Sequence, residues 1–186
     1  MSEVDGARDF DFLMGTWHVA NRRLRARLAG CIEWDEFDAE SEARSILGGS
    51  GNFDEYRTQY AGGFVGATLR LFDLASRVWS IYWADSRSGT LEPPVRGRFE
   101  GATGLFEGPD MHADQAILVR FTWTREPADA PQWEQAFSQD GGTTWETNWV
   151  MEFRRWGRWC SDNSSRPIPR DSRGFAAFRH SVHGPP

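Results

Sequence analysis

Lysine is absent from this chain: all 21 basic side chains among its 186 residues are arginines. A genome rich in G and C accounts for such a bias, but the chemical consequence holds regardless. Schiff-base catalysis and the P-loop each need a lysine amine, so both are excluded. Cysteine is scarce as well. Cys31 and Cys160 stand far apart with no CxxC pair, which fits free thiols in a reducing compartment or at most one bridge. The four histidines and two cysteines show no zinc spacing, so no structural metal is expected. Positive charge is in deficit, with a net charge of −6, which argues against nucleic acid as a partner. No apolar run approaches a membrane span, and the N-terminus Met1-Ser-Glu-Val-Asp-Gly is too acidic and polar for a signal peptide. The expected protein is cytoplasmic, free of cofactor and membrane contact, and a monomer or homodimer.

What the chain has in excess is flat apolar surface: ten Trp and thirteen Phe against only three Tyr. Such rings suit a β-rich core or an aromatic-lined pocket. The length suits one domain, placed at residues 1–160. The remainder, 161–186, shifts to Arg, Pro, Ser and Gly and reads as an irregular tail. A short helix is expected over Ala7–Met14, with Phe10, Leu13 and Met14 on one side. A strand follows from Gly15 to about Leu28. Further short β-segments are expected near 32–47, 52–60, 64–74, 77–84, 95–101, 104–108, 115–125, 132–138 and 145–155, separated by Gly-Gly, Ser-Arg-Ser-Gly and Pro-Pro signals. Helical propensity competes with the strand reading at 40–44. About ten closely spaced strands describe an all-β antiparallel meander, and closure into a barrel removes its exposed edges.

One stretch, Ser138-Gln-Asp-Gly-Gly-Thr-Thr-Trp145, has the pattern of the sialidase Asp-box. Its flanks alternate as half-buried strands, Trp133-Glu-Gln-Ala-Phe-Ser138 before it and Trp145-Glu-Thr-Asn-Trp-Val-Met151 after it, so it reads as a hairpin turn. The alternation predicts Phe137 opposite Trp145, Gln135 opposite Thr147 and Trp133 opposite Trp149. Asp140 is expected to accept backbone amides within the turn, and Trp145 to fold over it. The absence of long-range repeats argues against a propeller built from sequence-similar blades, and with it against a glycosidase.

The opening Phe12-Leu-Met-Gly-Thr-Trp17 resembles the Gly-x-Trp signature of the first strand in lipocalins and other calycins. That resemblance implies an arginine of the last strand packed across Trp17, with Arg154 or Arg155 as the counterpart. The series 47–56, 66–73, 79–85 and 95–101, ending in Trp133–Arg155, is similar to an uncharacterised family of bacterial calycin-like barrels carrying a domain of unknown function. The resemblance spans residues 9–156 and implies a closed barrel of about ten strands with a central cavity, but no agreed activity. A related branch, the haem-binding nitrobindins, uses a late histidine in a His-Leu pattern; His180 and His183 lack that pattern.

A ligand-holding barrel combines apolar walls with a few orienting polar groups. The expected inward set is Leu69, Leu71, Val119, Phe121, Trp123, Trp133, Gln135, Phe137, Thr147, Trp149 and Met151, around either a solid core or a cavity. Strand 77–84 is ambiguous. With Trp79, Ile81 and Trp83 inward, Asp85 sits at the mouth as a general base or an ordinary turn residue; with Tyr82 inward, its phenol becomes a donor to a carbonyl or enolate. Arg70 and Arg120 fall opposite the aromatic face, which points them outward toward Glu134, Glu146 or Glu152. A bulge would instead turn an arginine inward to bind a ligand carboxylate. His112 is a loop histidine that could line the mouth. The expected partner is a small hydrophobic molecule, aromatic or polyketide-like. It is either rearranged by cofactor-independent acid–base chemistry of the isomerase or cyclase kind, with Asp85 and Tyr82 catalytic, or carried unchanged.

Overall fold

The computed structural model describes residues 6–156. The tail 161–186, Cys160, His180 and His183 lie outside the described residues. Ten strands follow in order: β1 (Gly15–Leu24), β2 (Trp34–Ile46), β3 (Gly51–Thr58), β4 (Phe64–Asp73), β5 (Val78–Asp85), β6 (Val95–Glu100), β7 (Thr103–His112), β8 (Gln115–Thr124), β9 (Gln132–Ser138) and β10 (Glu146–Arg155). Each pairs antiparallel with its sequence neighbour, and β1 closes the barrel against β10. The fold is thus an all-β, up-and-down, calycin-like barrel. The ambiguous segment 40–44 lies within β2, where Ala39, Ser41 and Ala43 alternate inward against exposed neighbours. No helix among the described residues is long and apolar enough to cross a membrane.

The helix expected at Ala7–Met14 contracts to one 3-10 turn, Asp11–Leu13. Eight residues are too few to hold an isolated α-helix, and packing dictates another use. Phe10 and Leu13 are fully buried, with the Phe10 ring in edge contact with Trp79, Phe99 and Trp123. Trp17 Nε1 donates to the Leu13 carbonyl at 2.6 Å, and Trp79 Nε1 donates to the Gly6 carbonyl at 2.9 Å. Arg155 lies over Trp17 and donates to the Phe12 and Met14 carbonyls. Side-chain donors to the carbonyls of Gly6, Phe12, Leu13 and Met14 therefore tie the segment down as the barrel's floor. The loops at 25–33, 59–63, 86–94, 113–114 and 139–145 gather at the opposite end and form its mouth.

The last hairpin departs from the predicted register. Trp145 leaves the ladder: its indole N–H donates to the Gly142 carbonyl at 2.9 Å, and Arg120 stacks on its ring at 3.8 Å. Glu146 therefore pairs with Phe137 and Thr147 with Ala136. That slip would reverse the faces of β10, but the ladder shifts again between Thr147 and Trp149, a bulge at Asn148. Beyond it Trp149 stands opposite Gln135 and Met151 opposite Trp133. Two one-residue slips restore the inward face, and Thr147, between them, is left exposed on the outer surface.

Candidate functional site

The interior is hollow above the floor. A cavity of about 300 Å³ runs from Arg70 and Asp54 past Trp123, Trp133 and Trp149 to a mouth at Arg23, Arg27 and His112. Aromatic rings make one wall, held in edge-to-face contacts that resist collapse. Trp133 meets Trp149 at 5.6 Å and 83°, and Phe121 meets Trp133 at 4.9 Å and 65°. Asn21 fixes this wall, because its Oδ1 accepts from Tyr56 OH at 2.8 Å and from Trp149 Nε1 at 3.0 Å. Burial pushes the Tyr56 phenol well above its ordinary pKa, so it remains a donor. Gln135 donates to Asn148 Oδ1 at 2.8 Å, which couples the bulge to the cavity wall.

Trp83 completes the opposite side and depends on a missing side chain. A Cβ at Gly66 would lie 2.0 Å from the Trp83 ring. Only glycine on β4 lets the indole lie across the neighbouring strand.

The floor of the cavity is polar. Arg70 and Asp54, each only 4% exposed, form an ion pair through Arg70 Nη1, which also donates to Asn52 Oδ1 at 3.0 Å. Thr68 Oγ1 donates to Asp54 Oδ2 at 3.2 Å. Removing one member of such a buried pair costs about 3–5 kcal/mol. The inward row of β4 is Phe64, Gly66, Thr68, Arg70 and Phe72, so Leu69 and Leu71 face outward, contrary to expectation. No bulge is needed. The terminal Phe64 and Phe72 set the parity of β4, and the facing Asn52 and Asp54 of β3 supply partners that make an inward arginine tolerable.

The other candidates divide by face. Phe121, Trp123, Trp133, Gln135, Phe137, Trp149 and Trp83 line the cavity. Arg120 does not. It points outward, pairs with its cross-strand neighbour Glu107 at 2.6 Å and stacks on Trp145. Tyr82 shares the outer face of β5, opposite Leu69, because buried Trp79 and Ile81 take the inner one. Thr147 is outside for the reason given above. Asp85 stands at the mouth, where its Oδ1 accepts the amides of Arg87 and Ser88, both at 2.9 Å. Burial opposes its ionisation, but these bonds and the Arg87 charge outweigh it and hold the carboxyl below its ordinary pKa. That environment suits a loop anchor better than a base.

The mouth also holds residues absent from the expected set. Arg23 stacks on Trp149 at 4.5 Å and Arg27 on Phe137 at 5.4 Å. Among the described residues neither forms a salt bridge or hydrogen bond, although the charges of Glu92, Asp110 and Glu146 act on Arg27 and partly offset its burial. Burial, and after it the Arg27 charge, lowers the Arg23 pKa from its ordinary value. Arg87 differs, since it donates to the Tyr60 and Ala61 carbonyls at 3.0 and 2.9 Å. Alternation along β1 carries the signal for Arg23, which continues the inward row Trp17, Val19, Asn21. The same reading of β3 places Asp54 between Asn52 and Tyr56.

With this geometry in hand, comparison with known proteins is informative about fold. No family model matches the chain, and no curated protein matches it in sequence. A solved structure matches it in fold. The S-type phycobiliprotein lyase CPES from Guillardia theta superimposes with a TM-score of 0.52 at 9% identity, covering 84% of this chain and 92% of that one. The likeness is one of fold. It places the barrel in calycin-like company, in agreement with the Gly-x-Trp strand and with Arg155 packed over Trp17.

Proposed function

We propose that this barrel binds a small, flat molecule with an aromatic or polyketide-like body and an acidic group, and carries it without altering it. One observation carries the reading: an aromatic-walled cavity whose mouth presents two guanidiniums, Arg23 and Arg27, stacked on wall rings and held in no salt bridge among the described residues. A desolvated arginine without an anion is costly, and a ligand carboxylate relieves that cost through charge-assisted hydrogen bonds. The solved structure of like fold is named a phycobiliprotein lyase, and a small molecule held in the cavity suits such a barrel. Acid–base chemistry of the isomerase or cyclase kind is the weaker reading. It rests on Asp85 alone, since Tyr82 faces outward, and Asp85 is engaged by two backbone amides.

Titration with 6-ethyl-2-naphthoic acid and its methyl ester tests this reading, with tryptophan emission as the signal. Saturable quenching by the acid, stronger than by the ester, is expected because Trp83, Trp123, Trp133 and Trp149 all line the cavity. Absence of saturable quenching by both probes would overturn it.

A further inference from the structure

We propose that Arg70 is a ligand-recognition residue, and that it selects molecules whose inner end carries an uncharged hydrogen-bond acceptor, such as a ketone, lactam or quinone oxygen. The inference rests on the binding reading above and adds the chemistry of the ligand's buried end.

One hydrogen bond at the inner end of the cavity is left unmade. Arg70 Nε is buried without a hydrogen-bond partner, the one such side-chain atom among the described residues. Both described hydrogen bonds of this guanidinium run through Nη1, to Asp54 and Asn52. Its faces are screened by rings, with Cζ 5.3 Å from the Phe10 centroid and 5.6 Å from that of Trp123. A guanidinium donates in its own plane, so a partner must approach an edge. Arg70 lines the inner end of the cavity, and an acceptor entering that space reaches the guanidinium edge with a small shift of the side chain, because Nε itself is enclosed. Buried donors in folded proteins are almost always satisfied.

Charge decides the kind of acceptor. Asp54 already neutralises Arg70, and both are 4% exposed. A ligand carboxylate here would set a second anion beside Asp54 where water cannot screen it. A carbonyl oxygen adds no net charge and meets Nε in its plane. The two ends of the cavity therefore ask for different chemistry. Arg23 and Arg27 at the mouth hold no salt bridge among the described residues, whereas Arg70 at the floor is already paired and lacks only an acceptor.

The test compares 6-acetyl-2-naphthoic acid with 6-ethyl-2-naphthoic acid, which differ by one carbonyl at the end remote from the acid. The wild-type protein is expected to bind the acetyl compound about 10- to 100-fold more tightly, the worth of a buried hydrogen bond from a charged donor. Arg70→Lys keeps a cation for Asp54 but removes the Nε donor, and is expected to bring the ratio of the two affinities toward one. Saturable binding of both acids to the wild type at equal affinity would overturn the role of Arg70 and leave the carrier reading standing. Binding of neither acid would overturn both. The wild-type ratio decides the matter even if Arg70→Lys fails to fold. A ratio unchanged in a folded Arg70→Lys would also refute the assignment.

Discussion

Arg155 lies over Trp17 with its guanidinium carbon 3.9 Å from the ring centroid, and the same group donates to the carbonyls of Phe12 and Met14. A single side chain thereby joins the last strand, the first strand and the floor segment. Lysine at this position keeps the charge but cannot reach two carbonyls with one planar fork. Arg155→Lys is expected to lose about 2–3 kcal/mol, consistent with charged-donor hydrogen bonds plus a ring contact. Urea unfolding followed by tryptophan emission measures it. A loss below about 0.5 kcal/mol, the scale of a surface change, would show that the floor is held without Arg155, by the buried rings and the Trp17 and Trp79 hydrogen bonds.

Gly66 makes the second prediction. Its hydrogen occupies the place where any Cβ would meet the Trp83 ring. Gly66→Ala is expected to displace the indole and to cost about 1–3 kcal/mol, as overpacking does in a close-packed interior. Because Trp83 lines the cavity, probe affinity is expected to fall along with stability. Unchanged affinity at reduced stability would mean that this ring takes no part in binding.

The strand plan was legible in the sequence because each turn carries its own chemistry, and the aromatic faces of β8, β9 and β10 alternate openly. Legibility failed where the inner face is polar. On β4 the apolar Leu69 and Leu71 face out and Arg70 faces in, which inverts the usual rule because Asn52 and Asp54 stand across from it. A pattern within one strand holds no record of partners on another. The bulge at Asn148 was hidden for a related reason. Alternation in Trp145–Met151 fits one unbroken register, and only the cost of removing Trp145 to the turn, with Arg120 stacked on it, breaks that register. Arg23 and Asp54 carry their signal in the alternation along β1 and β3, which points both inward, whereas Arg27 lies in the loop after β1, where alternation gives no direction.

Those mouth arginines give the third prediction. Arg23→Gln and Arg27→Gln each remove a cation that no acidic residue among the described residues pairs with. Arg23→Gln breaks no salt bridge, and stability is expected to hold; Arg27→Gln also withdraws a charge that acts on the partly buried Glu92, so the Glu92 pKa is expected to rise further. Affinity for 6-ethyl-2-naphthoic acid is expected to drop about tenfold per substitution. Affinity for its methyl ester should change far less, and the preference for acid over ester should weaken with added salt. Equal losses for acid and ester would point to packing against Trp149 and Phe137 rather than charge recognition.

The last prediction concerns pH and the turn at 139–145. Asp140 accepts from the Thr144 hydroxyl at 2.6 Å, the Thr144 amide at 2.8 Å and the Ser138 hydroxyl at 2.8 Å. Those donors favour the carboxylate and lower its pKa from an ordinary 3.8 to about 2. A depressed carboxyl stabilises the fold above its unfolded pKa and ceases to do so as pH falls through the folded value. The contribution of this turn is therefore fully present above about pH 4 and lost on approach to pH 2. Asp140→Asn keeps an acceptor oxygen but has no charge to titrate. The stability difference between wild type and Asp140→Asn should be constant above that window and shrink within it. In an NMR titration the Thr144 amide is expected to report a midpoint near 2 in the wild type and none in the variant. A midpoint near the ordinary aspartate value would mean that the Thr144 and Ser138 bonds do not persist in solution. The Gly142 contact that seats Trp145 under Arg120 would then need another explanation.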